Sequence, residues 1–347
     1  MLDVAEFALD GESLITPESF LREFAHPKPL NADAQFEEAS AHLALVLNFA
    51  HQQFVAEAVP ATIIERVARE LHKIRMKYSA NVWQALISVA QSHPVAEYFL
   101  QDPFTNWSFT KPRGYSGDAG LLDFIYGHPS IEPKIESATQ LGKDLFEYTR
   151  NASSSVAVRE RRDILAQHVD EIAAQRGPGT EVLAIAAGHL REAKQSKALQ
   201  KKGLKRWVAL DQDPQSIASI QNEYAGTVVE PVDGSVRSLL GNTSRMGQFD
   251  FVYAAGLYDY LTQNVAIKLT RRCLNLLKPD GVFLFANFAQ GIGVDGYMET
   301  FMNWPLLLRS EKQIWTIIEG SVDNSVTDAN VFFGANHNIV YGVISKG

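Results

Sequence analysis

EVLAIAAGHLREA, residues 181–193, is the stretch that decides the fold. Val182 to Ala187 is an unbroken apolar run, Gly188 interrupts it, and helix-forming residues follow. About twenty residues further on comes WVALD, Trp207 to Asp211, a second apolar run that closes on a carboxylate. A strand, a glycine turn, a helix and a strand ending in an acid make up the order of a nucleoside-binding doubly wound sheet.

Outward from this unit, the second half of the chain alternates β-rich runs with helical patterns, the mark of βαβ units and a parallel sheet. The expected strands are Val182–Ala187, Trp207–Leu210, Thr227–Pro231, Asp250–Ala254, Gly281–Asn287, Asn330–Phe333 and Asn338–Ser345. The last two are joined by Gly334-Ala335-Asn336-His337, a hairpin signal. An antiparallel hairpin ending a parallel sheet excludes a plain dinucleotide-binding arrangement. The expected class is therefore α/β, with seven strands and a C-terminal antiparallel hairpin.

The first half reads as helical. Ile63, Val67, Leu71 and Ile74 recur at three and four residues and so share one helix face. Pro60 suits a helix start, and Pro94 marks a stop. The turn RGPGT, Arg176 to Thr180, places the boundary between a helical cap, residues 1–175, and the sheet domain, residues 176–347. Within the cap, QDPFTNWSFTKPRGYSGD (Gln101 to Asp118) reads as a long connecting loop. It carries Trp107, Phe109 and Tyr115, which disordered segments avoid, and it is expected to fold over the ligand site.

Composition narrows the function classes. The chain has 347 residues, 46% hydrophobic, with a formal net charge of −8, which argues against a nucleic-acid-binding surface. The basic run KQSKALQKKGLKR, Lys194 to Arg206, reads as a solvated helix face. The one cysteine, Cys273, rules out an internal disulfide and is expected to be a buried structural thiol in a helix. The N-terminal MLDVAEFALDGES lacks the basic region of a secretory signal, and no apolar run approaches the roughly 18 residues of a membrane helix. A cytoplasmic protein without membrane or nucleic-acid partners is expected; oligomeric state stays open.

Residues 180–347 resemble a class I S-adenosylmethionine-dependent methyltransferase, with its Rossmann-like sheet. KPRGYSGDAGLLDFIYG from Lys111, VAVRERRDIL from Val156, FDFVYAAGLYDYL from Phe249, LKPDGVFLFANF from Leu277 and METFMNWPLLLRS from Met298 resemble the bacterial group that makes 3-hydroxy fatty acid methyl ester signals. A related set of enzymes with the same cap and sheet motifs cyclises S-adenosylmethionine to azetidine-2-carboxylate.

The resemblance implies S-adenosylmethionine as cofactor, no metal, and roles by position. Gly188 lets the backbone approach the cofactor. Asp211 accepts hydrogen bonds from both ribose hydroxyls, its two oxygens matching a vicinal diol. Asp233 takes the adenine amino group, with backbone help from Gly234 or Ser235. The segment Tyr253 to Tyr258 floors the site beneath the sulfonium, and Asn287 faces the same crevice. Tyr115 and Asp118 of the cap, with Asn151, are candidates to hold the methionine amine, and Arg159 to pair with the carboxylate. Tyr115, Asp118, Tyr258 and Asn287 form the expected reacting-centre set. Trp107, Tyr253 and Phe288 are further aromatic candidates near the sulfonium. His189 is expected to be structural.

One departure bears on chemistry. The resembled glycine loop reads acid-x-Gly-x-Gly-x-Gly, whereas this chain has Ala184 at the acid position and Ala186 and Leu190 at two glycine positions. The missing acid helps to hold the methionine amine. Three readings follow. The first is methyl transfer to a small molecule such as a hydroxy fatty acid carboxylate. The second is an intramolecular cyclase, in which the amine attacks the γ-carbon and methylthioadenosine leaves. The third is a non-catalytic binding protein.

Overall fold

The computed structural model describes residues 32–241, 246–323 and 325–347. The acidic N-terminal stretch lies outside these residues. All seven expected strands are present: β1 Glu181–Ile185, β2 Arg206–Asp211, β3 Val229–Asp233, β4 Phe249–Ala254, β5 Leu277–Phe288, β6 Val326–Phe333 and β7 Ile339–Lys346. They form one sheet in the order β3-β2-β1-β4-β5-β7-β6. β1 pairs in parallel with β2 and β4, and β7 lies antiparallel between β5 and β6. The order reverses between β1 and β4, which makes their C-terminal ends the crevice where ligands of open α/β sheets bind.

Every residue of β1 and β4 is buried, as expected of central parallel strands covered on both faces. Alternation sends Leu183, Ile185, Val208, Val252, Phe283 and Phe285 to one face, where they pack with Leu269, Cys273, Ile314 and Ile317. Cys273 is fully buried in the helix Gln263–Asn275, the structural thiol expected. On the other face Phe251 stacks with His168 of the helix Ser153–Arg176, their ring centroids 5.9 Å apart.

Backbone contacts divide the chain into two units. One holds the described residues up to 156 together with 291–306; the other holds 157–290 and 307–347. The division in space therefore does not follow a single cut near residue 175: the helix Ser153–Arg176 goes almost wholly with the sheet, and the segment after β5 goes with the helices.

In the helical unit, the helix Pro60–Lys77 buries Ile63, Ile64, Val67, Ala68, Leu71 and Ile74, the face read from their spacing, with Pro60 in its first turn. The helix Asp295–Thr300 packs on it. His72 Nδ1 lies 2.8 Å from Asp295 Oδ1, Arg75 donates to Glu299 Oε1 at 3.0 and 2.9 Å, and Trp83 Nε1 donates to the other Glu299 oxygen. The approach demands glycine at 296, where a Cβ would stand 2.7 Å from the Leu71 carbonyl carbon.

The segment Gln101 to Asp118 corrects the expectation of a plain loop. Pro103–Thr110 is a helix, because Asp102 caps it: its carboxylate accepts from the Phe104 and Thr105 amides at 3.0 and 3.2 Å. The same carboxylate accepts from the Thr105 and Thr149 hydroxyls at 2.7 and 2.8 Å. Asp102 is wholly buried, and burial pushes its carboxyl up to about 6. Asp102→Ala removes the cap and takes the carboxylate acceptor from two buried hydroxyls, so it is expected to cost about 2–3 kcal/mol in a urea titration. Asp102→Asn, which keeps one acceptor, should cost less. Among the described residues no helix is long and apolar enough to cross a membrane.

Candidate functional site

The crevice is built by the turn after β1. Ala186, Gly188 and Leu190 have φ of 52°, 55° and 51°, a left-handed alternation that turns the backbone sharply as it leaves the strand. Only at 188 is the favoured residue, glycine, present. The Gly188 amide donates to Asp211 Oδ2 at 2.7 Å, and the Asp213 amide to Oδ1 at 2.9 Å. The Gly234 amide donates to the Asp211 carbonyl at 3.0 Å. Asp211 thus ties together the ends of β1, β2 and β3. Each carboxylate oxygen keeps a second lone pair, so the pair of acceptors that a vicinal diol needs is still available. Burial pushes the Asp211 carboxyl up to about 6, against the pull of those two amides. Asp213 caps the helix Pro214–Glu223, as expected, and this leaves Asp211 as the strand-end acid.

Asp233 is exposed at the end of β3, in register with Asp211 on the neighbouring strand. Two expected contributors beside it are already committed. The Gly234 amide is used by Asp211, and the Ser235 amide donates to Ser238 Oγ at 2.9 Å while Ser235 Oγ accepts from the Ser238 amide. The backbone assistance expected from these two residues is corrected accordingly. Glycine at 234 has a packing reason, since a Cβ would lie 2.6 Å from Leu210 Cδ1.

Tyr258 and Asn287 are scaffold, contrary to expectation. Tyr258 is wholly buried, stacked on Phe285 at 4.4 Å, with its hydroxyl 2.7 Å from Thr270 Oγ1. Asn287, also wholly buried, donates to the Phe288 and Leu307 carbonyls at 2.8 Å each, and its Oδ1 accepts from Arg309. Arg309 also donates to the carbonyls of Tyr258, at 2.6 Å, and Leu261. These polar groups are satisfied internally, which is why they can be buried.

In the helical unit Asp118 is likewise a structural group. It caps the helix Ala119–Tyr126 through the Leu121 amide at 3.0 Å and accepts from Trp107 Nε1 at 3.0 Å. Burial raises its carboxyl above the ordinary range. Asn151 donates to the Glu147 carbonyl at 2.9 Å. Tyr115 is half-buried in the turn between these elements. His189 is buried, its Nδ1 3.0 Å from Arg191 Nη2.

Tyr253 lies at the end of β4, 2% exposed, and donates its hydroxyl to Glu192 Oε1 at 2.5 Å. Burial pushes the Tyr253 phenol well above its ordinary range, and it also raises the Glu192 carboxyl. The structure adds Glu192 and Arg161 to the candidates read from sequence. Arg161 is 5% exposed on the helix Ser153–Arg176, in line with the buried Val158, Leu165, Val169 and Ile172. A charge at the i+3 position of an apolar stripe is visible in VAVRERRDIL. Arg159, two residues away, points about 160° round the helix and is half-buried. Among the described residues, no group of His, Cys, Asp and Glu is placed to hold a metal ion.

Residues 185–285 match the methyltransferase domain family. A possible exported protein from Bordetella parapertussis has the same fold, with a TM-score of 0.54 at 16% identity over 89% of this chain and 96% of that one. The N-methyltransferase NodS from Bradyrhizobium japonicum WM9, in complex with S-adenosyl-L-homocysteine, has a TM-score of 0.40 at 16% identity over 65% and 99% of the two chains. Magnesium protoporphyrin IX methyltransferase from Synechocystis PCC 6803, with S-adenosylmethionine bound, has a TM-score of 0.40 at 10% identity over 66% and 97%. No curated protein matches the chain.

Proposed function

We propose that residues 185–285, which match the methyltransferase domain family, form a class I S-adenosylmethionine-dependent methyltransferase domain, and that the protein transfers a methyl group from that cofactor to a small molecule. The observation that carries this reading is the set of strand ends. Gly188 gives backbone access, Asp211 presents two acceptors, and Asp233 stands in register beside it, at the C-terminal ends of the neighbouring strands β1, β2 and β3. These groups suit a ribose diol and an adenine amino group.

When bound, S-adenosylmethionine supplies a methyl on a positively charged sulfur, open to in-line displacement. The chain's part is to bind, orient and exclude water. Asp211 holds the ribose in its carboxylate form, and the amides of Gly188 and Asp213 fix the direction of that carboxylate. An acceptor carboxylate, such as that of a hydroxy fatty acid, is ionised at neutral pH and requires no base. The protein would then need no nucleophile of its own.

A cyclase is the second reading, favoured by the absence of an acid at Ala184, since an unpaired amine is the better nucleophile. One experiment separates the readings. The purified protein is incubated with S-adenosylmethionine alone, then with an acceptor panel led by hydroxy fatty acids, and products are followed by mass spectrometry. S-adenosylhomocysteine formed only with an acceptor supports the transferase. Methylthioadenosine and a four-carbon cyclic amino acid formed without any acceptor establish the cyclase and overturn it. Tight binding with no turnover on the whole panel leaves a non-catalytic binding protein.

A further inference from the structure

The crossover from β1 to β2 gathers positive charge that the rest of the chain lacks. The protein holds 32 lysines and arginines against 40 aspartates and glutamates. Six of the 32 and none of the 40 fall in KQSKALQKKGLKR, Lys194 to Arg206, so this run carries +6 within a net −8 and the remainder carries −14. The run is not one long helix face. Only Lys197–Gln200 is helical, a single turn, and both its ends are fixed. At its start the Asp170 carboxylate accepts from Ser196 Oγ at 2.8 Å and from the Lys197 and Ala198 amides at 3.0 and 2.8 Å. At its end the Lys202 amide donates to the Leu199 carbonyl at 3.0 Å and the Gly203 amide to the Ala198 carbonyl at 2.8 Å. These two bonds close a helix through a left-handed residue. That residue is Lys202, with φ of 56°, at a position that favours glycine.

The lysines of this turn are exposed and crowd one another. Lys197 and Lys201 stand four residues apart on one side, a like-charge spacing that destabilises a helix, and Lys202 follows directly. At the ends of the run the charge is partly balanced. Lys194 meets Glu223, and Lys205, 2.9 Å from Glu181, shares that carboxylate with Arg206 and Lys278. Among the described residues no carboxylate forms an ion pair with Lys197, Lys201 or Lys202. A one-turn helix has little dipole for three cations to complement. Neither the crowding nor the lysine at 202 is explained by a contact within the protein.

We infer that Lys197, Lys201 and Lys202 form a docking surface for a second protein that presents a compact cluster of aspartates and glutamates. Charge complementarity calls for an anionic partner, and three observations select this class. The run has no aromatic residue on which an unpaired base could stack. Leu204 is buried and Leu199 half-buried, so the run offers no large exposed apolar side chain to a membrane. An extended polyanion, such as a duplex or a charged bilayer, also meets the field of the remaining −14, whereas a compact acidic cluster meets the patch alone. The inference does not depend on the reaction proposed above.

Fluorescence anisotropy with the full chain tests it. The probe is a labelled helical peptide of about 20 residues with glutamates along one face; a second peptide of the same composition spreads them round the helix. The unaltered protein should bind the one-faced peptide with a dissociation constant below about 0.1 mM in dilute salt, and at least about fivefold more weakly once salt shortens the Debye length to about 8 Å. The triple variant Lys197→Gln, Lys201→Gln, Lys202→Gln should bind at least about tenfold more weakly. These side chains are exposed, so the variant should keep its fold, which circular dichroism checks. Lys268→Gln with Lys312→Gln, exposed lysines elsewhere, should change the affinity by less than about twofold.

No binding by the unaltered protein, or equal binding by the triple variant, overturns the inference. Equal affinity for the two peptides does so as well, since net charge alone would then account for the effect. Vesicles of phosphatidylcholine with phosphatidylserine, or a DNA duplex, bound more tightly than the peptide through the same three lysines would assign the surface to a membrane or a nucleic acid and overturn the choice of partner.

Discussion

Asp211→Ala is expected to weaken S-adenosylhomocysteine binding by at least about tenfold, and two lost charge-assisted hydrogen bonds would take it toward a hundredfold. The substitution removes both proposed ribose acceptors. It also releases the amides of Gly188 and Asp213, so the two turns that frame the crevice lose their common anchor. Asp211→Asn, with one acceptor left, should lie between the variant and the unaltered protein. A pH series adds a signature. Burial places the Asp211 carboxyl at about 6, so it is ionised at neutral pH and protonates as pH falls through that value. Protonation turns one acceptor into a donor, so affinity should decline below about pH 6 and the decline should vanish in Asp211→Asn. Calorimetry from pH 5 to 8 checks both results; unchanged affinity in Asp211→Ala removes the ribose assignment.

Arg309→Met is expected to have the largest effect on stability. The guanidinium is 4% exposed and donates to the carbonyls of Tyr258 and Leu261 and to Asn287 Oδ1. Removing it leaves three buried acceptors without that donor and takes a countercharge from Asp259. Loss of one partner from a buried ionic network costs about 3–5 kcal/mol. For a unit of this size that lowers the thermal midpoint by roughly 10 °C. Differential scanning calorimetry with and without S-adenosylhomocysteine checks it. A shift below about 2 °C would mean that water or neighbouring donors replace the guanidinium at little cost. Asn287→Ala, which removes a neutral group and not a charge from the same network, should shift the midpoint less.

Asp211 and Arg309 also show what kind of residue sequence reasoning can find. Asp211 follows Gly188 within a single strand–turn–helix–strand unit, and its role depends on spacing along the chain. Tyr258, Asn287 and Asp118 were read as site residues from the motifs around them. Their partners are Thr270, Arg309 and Trp107, and only contact shows that those partners have already taken their polar groups. Arg161 falls between these cases. Its place on an apolar stripe is a local pattern, but its burial beside Gly256, with the charges of Glu192 and Asp259 near it, is a tertiary fact.

The sequence by itself determined the seven strands, the terminal hairpin, the glycine turn with its strand-end acids, and the helical character of the first half. These follow from periodicity, turn chemistry and the repeat of βαβ units, all of which act over a few tens of residues. The tertiary structure alone decided where two segments belong. The helix Ser153–Arg176 lies in the half read as cap, but it packs with the sheet through His168 and Phe251. The segment 291–306 follows β5, but it joins the helices because His72, Arg75 and Trp83 meet Asp295 and Glu299 more than 200 residues away. An amphipathic pattern states that a face must be buried. Which surface buries it depends on charges and shapes that the chain brings together only when folded.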